Sequence, residues 1–249
     1  MSQRPVVLVV NCNTNRVMTE QIVAIAESAS NQTTKIVGVT PAWGPSSAEG
    51  YAESYVTAVA TMDAVLSHRE HFDAVVMAGY GEHGREGMRQ ALRQPVVDIT
   101  EASAYFACLL GRRFGVVTTV PAAVAGIEDS LAVAGVLARC AGVAASKVSV
   151  SHIADDQART FAALETAGRE LLLRGADVIV LGCAGFAGLD KALESSLGVP
   201  VLDSVACAVQ MAHSLVCLDK RTSKVGAFTP MDEAKPWTGR KLGEMPHTP

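Results

Sequence analysis

The sequence predicts an α/β fold made of two pseudo-symmetric parallel-sheet halves, each Rossmann-like or flavodoxin-like, with a cleft between them. Three observations lead there. Short aliphatic runs alternate with Ala-rich segments of helical spacing along all 249 residues, the pattern of buried parallel strands covered by crossover helices. A weak internal repeat relates the halves: Asp73-Ala74-Val75-Val76-Met77-Ala78-Gly79 matches Asp177-Val178-Ile179-Val180-Leu181-Gly182-Cys183 at a constant offset of 104. Downstream, Gln94-Pro95-Val96-Val97-Asp98 is echoed by Val199-Pro200-Val201-Leu202-Asp203 at an offset of 105, and an Ala-rich segment follows each. No Gly/Ser linker or charge run separates independent domains. The expected partition is 1–99 with about 205–249 as the first half and 100–204 as the second.

Taken in order, the aliphatic runs predict strands at 5–10, 35–40, 73–78, 95–98, 114–118, 148–152, 177–181 and 199–202. The segments between them predict helices at 16–30, 50–68, 84–93, 101–111, 122–138, 156–174, 187–196 and 204–217. Val6 to Val10, after Arg4, is shorter than a secretory apolar core and reads as the first strand. Phe114 to Thr119 resembles that opening strand. Asp98 and Asp203, at the ends of matched strands, read as helix N-caps rather than acids. From Arg221 the chain carries Lys235-Pro236-Trp237 and then Pro246 to Pro249, an expected irregular arm with a frayed end.

Composition excludes several classes. Lys and Arg number 21 against 25 Asp and Glu, a formal charge of −4, which argues against a nucleic-acid footprint built from clustered cations. With Gly at 21, Pro at 10 and a mean hydropathy of +0.25, neither a disordered nor a fibrous chain fits. The longest apolar stretch, Val178 to Leu189, is interrupted by glycines and too short to span a bilayer. A cytoplasmic protein with a small-molecule substrate is expected, without a nucleic-acid or membrane partner; the Ala-rich surface makes a homo-oligomer reasonable. The six cysteines, at 12, 108, 140, 183, 207 and 217, include no C-x-x-C pair, so neither a metal site nor a disulfide framework is expected.

Cys183 stands out. It lies in Leu181-Gly182-Cys183-Ala184-Gly185, after an aliphatic strand and before a segment expected to turn helical. There, free backbone N–H groups and the positive helix end would favour the thiolate, giving a base for a carbon acid without a metal or cofactor. The glycines would let a ligand carbonyl approach Gly182, Ala184 and Gly185 closely. The other cysteines read as core thiols on Ala-rich faces, with Cys12 the exception because it borders the cleft. Three more segments should end at the crevice where open α/β sheets bind ligands. Asn11, Asn13 and Thr14 follow the first strand and either cap a helix or bind a substrate amide. Pro45, Ser46 and Ser47 follow the second, as an anion- or carbonyl-binding nest or as a plain turn. Thr118 and Thr119 follow the fifth, offering hydroxyls from the opposite half.

Together these residues resemble the Asp/Glu/hydantoin racemase superfamily, most closely its hydantoin and allantoin racemase branch. Asn11-Cys12-Asn13-Thr14 is similar to that branch's Asn-Pro-Asn-Thr opening, with Cys12 in place of the proline. Gly44-Pro45-Ser46-Ser47-Ala48-Glu49 resembles its Gly-Pro-x-Ser-x-Glu segment, and Thr222-Ser223-Lys224 and Lys235-Pro236-Trp237-Thr238-Gly239 also fit. The resemblance implies a cofactor-free enzyme in which two thiols on opposite faces of the substrate remove and return a proton next to a carbonyl. One departure stands against it: the family's first thiol would fall at Gly79, in Met77-Ala78-Gly79-Tyr80-Gly81-Glu82-His83. Three readings follow. Tyr80, Glu82 or His83 supplies the second acid/base, with Gly81 among the substrate-binding residues; or the chain resembles arylmalonate decarboxylases, which also carry a glycine there and protonate from one face; or it is a ligand-binding module without turnover. The first is preferred, with Cys183 acting on a hydantoin-like cyclic ureide. A cysteine introduced at Gly79 is expected to place its sulfur in the space that the family fills with one, at a mainly steric cost, and to raise racemisation.

Overall fold

Among the described residues, eight short strands form two four-stranded, all-parallel sheets of identical topology. In this computed structural model, residues 4–153, 155–232, 235–239 and 241–243 are described. The first sheet contains β1 (Val6–Asn11), β2 (Lys35–Val39), β3 (Ala74–Ala78) and β4 (Val96–Asp98), in the order β2-β1-β3-β4. The second contains β5 (Phe114–Thr118), β6 (Cys140–Ala145), β7 (Val178–Leu181) and β8 (Val201–Asp203), in the order β6-β5-β7-β8. The crossovers are α1 (Arg16–Ser30), α2 (Tyr51–Leu66), α3 (Arg85–Ala91), α4 (Ile99–Leu110), α5 (Val124–Val133), α6 (Gln157–Leu173), α7 (Asp190–Leu197) and α8 (Ser204–Cys217).

The inner strands β1, β3, β5 and β7 are buried on both faces, as parallel strands under helices must be, while the edge strands β2 and β6 are partly exposed. On β1, Val7 and Val9 join the core shared with α1 and α8, while Leu8 and Val10 pack toward Val65 of α2 and Met88 of α3. On β7, Ile179 and Leu181 face α6 and α7, while Val178 and Val180 face Ala104 of α4 and Ile127 of α5. Helix α8 packs on β1, β3 and β4 of the first sheet, against α1 and α4. Val10 pairs with Met77 and Val117 with Leu181. Gly79 and Cys183 therefore leave equivalent strands, and Cys12 and Thr119 leave the other equivalent pair.

Both proposed N-caps form. Asp98 accepts from the N–H groups of Thr100 and Glu101, and Asp203 from those of Val205 and Ala206. Asp203 also accepts from the Gly188 N–H at 2.7 Å, tying the loop after β7 to the start of α8.

The sixth strand lies earlier than expected. It runs over Cys140–Ala145 rather than 148–152, which is instead a single 3-10 turn at Val150–His152. The chain turns away at Lys147, whose φ is +63°, after the amides of Ser146 and Lys147 bond to the carbonyls of Thr118 and Thr119. Cys140 is thus on an edge strand, not a helical face. Helix α5 is shorter than expected because Gly135, at φ +76°, turns the chain. The C-terminal arm docks on the first half: Thr222 donates to the carbonyls of Arg93 and Gln94, and Lys224 Nζ to those of Arg89 and Gln90. Pro246 to Pro249 lie outside the described residues. Among the described residues no helix is long and apolar enough to cross a membrane.

Asp203→Ala removes three backbone N–H contacts, so a loss of about 1–3 kcal/mol is expected. Thermal denaturation should show it as a fall of several degrees; an unchanged midpoint would contradict the tie.

Candidate active site

The β1–α1 turn is built by its asparagines. Asn11, fully buried, donates from Nδ2 to Asn13 Oδ1 at 2.9 Å, to the Asn15 carbonyl at 3.1 Å and to Thr19 Oγ1 at 3.1 Å. Asn15 caps α1 by accepting from the Met18 N–H. Asn13 Oδ1 also accepts from the Asn15 N–H, which points its Nδ2 at the Met18 thioether, 3.3 Å away. A thioether is a weak acceptor, so this buried amide keeps a donor for a better one. Thr14 is spent on the Pro45 carbonyl, which accepts from both its N–H and its hydroxyl.

The β3–α3 loop presents Gly79, Tyr80 and His83. The His83 ring fills the space beside Gly79: a Cβ there would lie 2.4 Å from His83 Cδ2 and 2.7 Å from Cys12 Cβ. His83 Nε2–H donates to the Tyr80 carbonyl at 3.3 Å and Nδ1 faces Thr57 Oγ1 at 3.0 Å. Burial pushes its pKa down to about 4, so the imidazole is neutral at pH 7. Tyr80, raised far above the usual phenol range mainly by burial, takes a bond from the Ser103 hydroxyl. Glu82 turns back on its own loop, accepting from the N–H groups of Gly84 and Arg85. Burial and neighbouring Glu86 hold its pKa above the usual value.

Behind this loop sits Arg85, whose side chain is fully buried among Glu82 (3.3 Å), Glu86 (2.8 Å), Glu101 (3.6 Å) and Asp98 (3.7 Å). Burial opposes its charge, but Asp98 and Glu101 more than offset that. Burial raises Asp98 to about 7 despite Arg85. Sequence reasoning missed this anchor, because an arginine in a charged turn normally reads as solvated.

Cys183 follows β7 in extended backbone and opens one 3-10 turn, Ala184–Phe186, not an α-helix. Its Sγ accepts from the Gly185 N–H at 3.4 Å. The expected lowering of its pKa is not found: burial pushes the thiol up to about 11 although the backbone N–H groups of Gly185 and Phe186 lower it, and the charge of Glu49 raises it further. Backbone donors of a single turn do not outweigh desolvation.

Cys12, Asn13, Gly79, Tyr80, His83, Thr118, Thr119, Gly182, Cys183 and Ala184 line one cavity at the facing strand ends, closed by Met18, Ala48, Ala123 and Val150. None of these residues carries a charge at pH 7. Cys12 and Cys183 are each 9% exposed, and Cys12 is pushed up to about 12 by burial and then by the charge of Cys183. An adjoining cavity, sharing Ala48, Tyr80, His83 and Ala123, takes Gly81 and Glu82. Asn11 and Thr14 stand behind the wall. Pro45, Ser46 and Ser47 are outside it, with Ala48 in their place, because the Pro45 carbonyl is drawn to Thr14. Gly185 lines a larger groove of about 340 Å³ between α1 and the 184–189 segment, on the far side of Ala184. That groove holds no thiol.

Residues 7–212 match the family model described as Asp/Glu/Hydantoin racemase. The chain belongs to the Asp/Glu/hydantoin racemase family. Over 222 residues it is 35% identical to a hydantoin racemase of Pseudomonas sp. (strain NS671), covering 88% of this chain and 89% of that one. The crystal structure of an allantoin racemase from Pseudomonas fluorescens superposes with a TM-score of 0.91 at 45% identity, over 94% of this chain and 100% of that one. An allantoin racemase from Klebsiella pneumoniae gives 0.91 at 32% identity, over 97% and 99%. Membership makes this chain an isomerase of that family, and the two-sheet architecture is the family's.

The space expected to take a sulfur at Gly79 is filled by His83 and Cys12. Gly79→Cys should therefore cost about 1–3 kcal/mol through overpacking. Adding His83→Ala should recover part of that loss, a non-additivity that a denaturant double-mutant cycle reads directly; full additivity would contradict the contact.

Proposed function

We propose that this protein racemises a hydantoin-like cyclic ureide at the carbon next to a ring carbonyl, without a cofactor, and that Cys183 is an acid/base thiol of the reaction. The observation that carries the reading is the cavity: a buried thiol beside hydrogen-bonding side chains, with no charged group in the wall. Such a lining suits a neutral ring bearing amide N–H and C=O groups better than a dianionic malonate, which would be desolvated without a cation to meet it. The Asn13 amide is a donor for a ring carbonyl. The Cys183 thiolate takes the ring proton, the electron pair moves into the carbonyl as an enolate, and a proton delivered to the opposite face gives the other enantiomer. A high thiol pKa makes the thiolate scarce but a stronger base toward a carbon acid.

The test uses deuterated buffer and a panel of 5-substituted hydantoins, allantoin and substituted malonates. Racemisation with α-hydrogen exchange and no carbon dioxide is expected from a ureide. Carbon dioxide release with one deuterium gained would show a decarboxylase, and neither would show a binder. Cys183→Ala should lower racemisation by about 10² to 10⁴ with the fold intact.

A further inference from the structure

If the protein is a carbon-acid racemase, the cavity must offer a proton acceptor on each face of the reacting carbon, and Cys183 serves one. The groups first considered for the other face do not qualify. Glu82 is bound to its own loop N–H groups and to Arg85. His83 is held between the Tyr80 carbonyl and Thr57, and the Tyr80 phenol is buried against Ser103.

Cys12 remains. It leaves the first sheet at the end of β1, as Cys183 leaves the second at the end of β7, and both line the same cavity. Its Cβ lies 2.7 Å from where a Gly79 side chain would begin, so its thiol is rooted beside the site that Gly79 leaves without a side chain. The two sulfurs sense one another electrostatically. Both are free thiols, and no disulfide is formed. We infer that Cys12 is the second catalytic thiol, so that the pair facing across the cleft is Cys12 from β1 and Cys183 from β7, not two residues on equivalent strands.

This rests on the racemase reading above. In one direction the Cys183 thiolate removes the α-proton and becomes a thiol, the electron pair rests on the carbonyl oxygen, and the Cys12 thiol protonates the opposite face and becomes the thiolate. The reverse direction exchanges the two roles, and no oxidant or second substrate is consumed.

The experiment compares the wild type, Cys12→Ala, Cys12→Ser and Cys183→Ala on both enantiomers of 5-methylhydantoin and of allantoin in deuterated buffer. Racemisation should fall at least about 100-fold in each variant. Each alanine variant should still exchange the α-hydrogen of one enantiomer only, and the two variants should prefer opposite enantiomers. A structural role for Cys12 would instead depress both enantiomers alike. That result, or wild-type racemisation by folded Cys12→Ala, overturns the assignment while leaving the racemase reading in place. No turnover by the wild type overturns both. Should the Cys12 variants fail to fold, iodoacetamide labelling of the wild type decides: allantoin should slow modification of Cys12 and Cys183 but not of exposed Cys217, and an unprotected Cys12 refutes the proposal.

Discussion

Gly79 lacks a Cβ, and the packing of the site depends on that one omission. In a close-packed interior a methyl-sized space does not stay empty. Here the edge of His83 and the Cβ of Cys12 fill it, both within 3 Å of where a side chain would start. The consequence reaches three elements. It lets in the His83 ring between β3 and α2, lets the Cys12 Cβ sit against the end of β3 where the pairing of Asn11 with Ala78 places it, and leaves the cavity wall without a side chain at the position equivalent to Cys183. The loop can hold this shape because Arg85 anchors it from behind, with four carboxylates around one buried guanidinium. Removing Arg85 would leave buried Asp98 and Glu101 without the cation that faces them, a cost of about 3–5 kcal/mol.

Burial governs the chemistry as well as the packing. Every thiol lining the cavity has its pKa raised, because desolvation acts on the charged form and few donors oppose it. Cys183 has only the backbone N–H groups of Gly185 and Phe186 to oppose it, and Cys12 feels the charge of Cys183 on top of its own desolvation. A charge on Cys183 disfavours ionisation of Cys12 beside it, so the two thiols are not ionised together at neutral pH. A neutral substrate fits this setting: it brings no charge to desolvate, and the negative charge created at its carbonyl oxygen can be met by the Asn13 amide.

Much of the fold was legible because it rests on a strong regularity. The aliphatic runs and the repeat located seven of the eight strands, and Asp98 and Asp203 cap α4 and α8 at matched positions. The sixth strand was misplaced because Cys140–Ala145 is an edge strand of small residues, one Val among Ala and Gly, with little aliphatic signal. In the site, the strand-end rule brought Cys12, Asn13, Gly79, Thr118 and Cys183 to one place. It could not separate Asn13, which lines the cavity, from Asn11, which holds the turn, since that depends on which amide hydrogen bonds are already made. Nor could it foresee that the Pro45 carbonyl would bind Thr14 and turn Ser46 and Ser47 away. The direction of the Cys183 pKa shift was hidden for a related reason: spacing places a thiol near backbone donors, but only packing sets how much water it loses.

The measurement that reaches the central claim most directly is the optical signal of one enantiomer of a racemised 5-substituted hydantoin, followed to completion in deuterated water. Two opposed thiols take the proton on one side and supply deuterium from the other, and the deuterated product reacts back more slowly because its C–D bond is harder to break. The signal should therefore cross zero, reach the opposite sign and only then return. A monotonic decay to zero would mean that proton removal and return occur through one group, and would contradict the opposed pair.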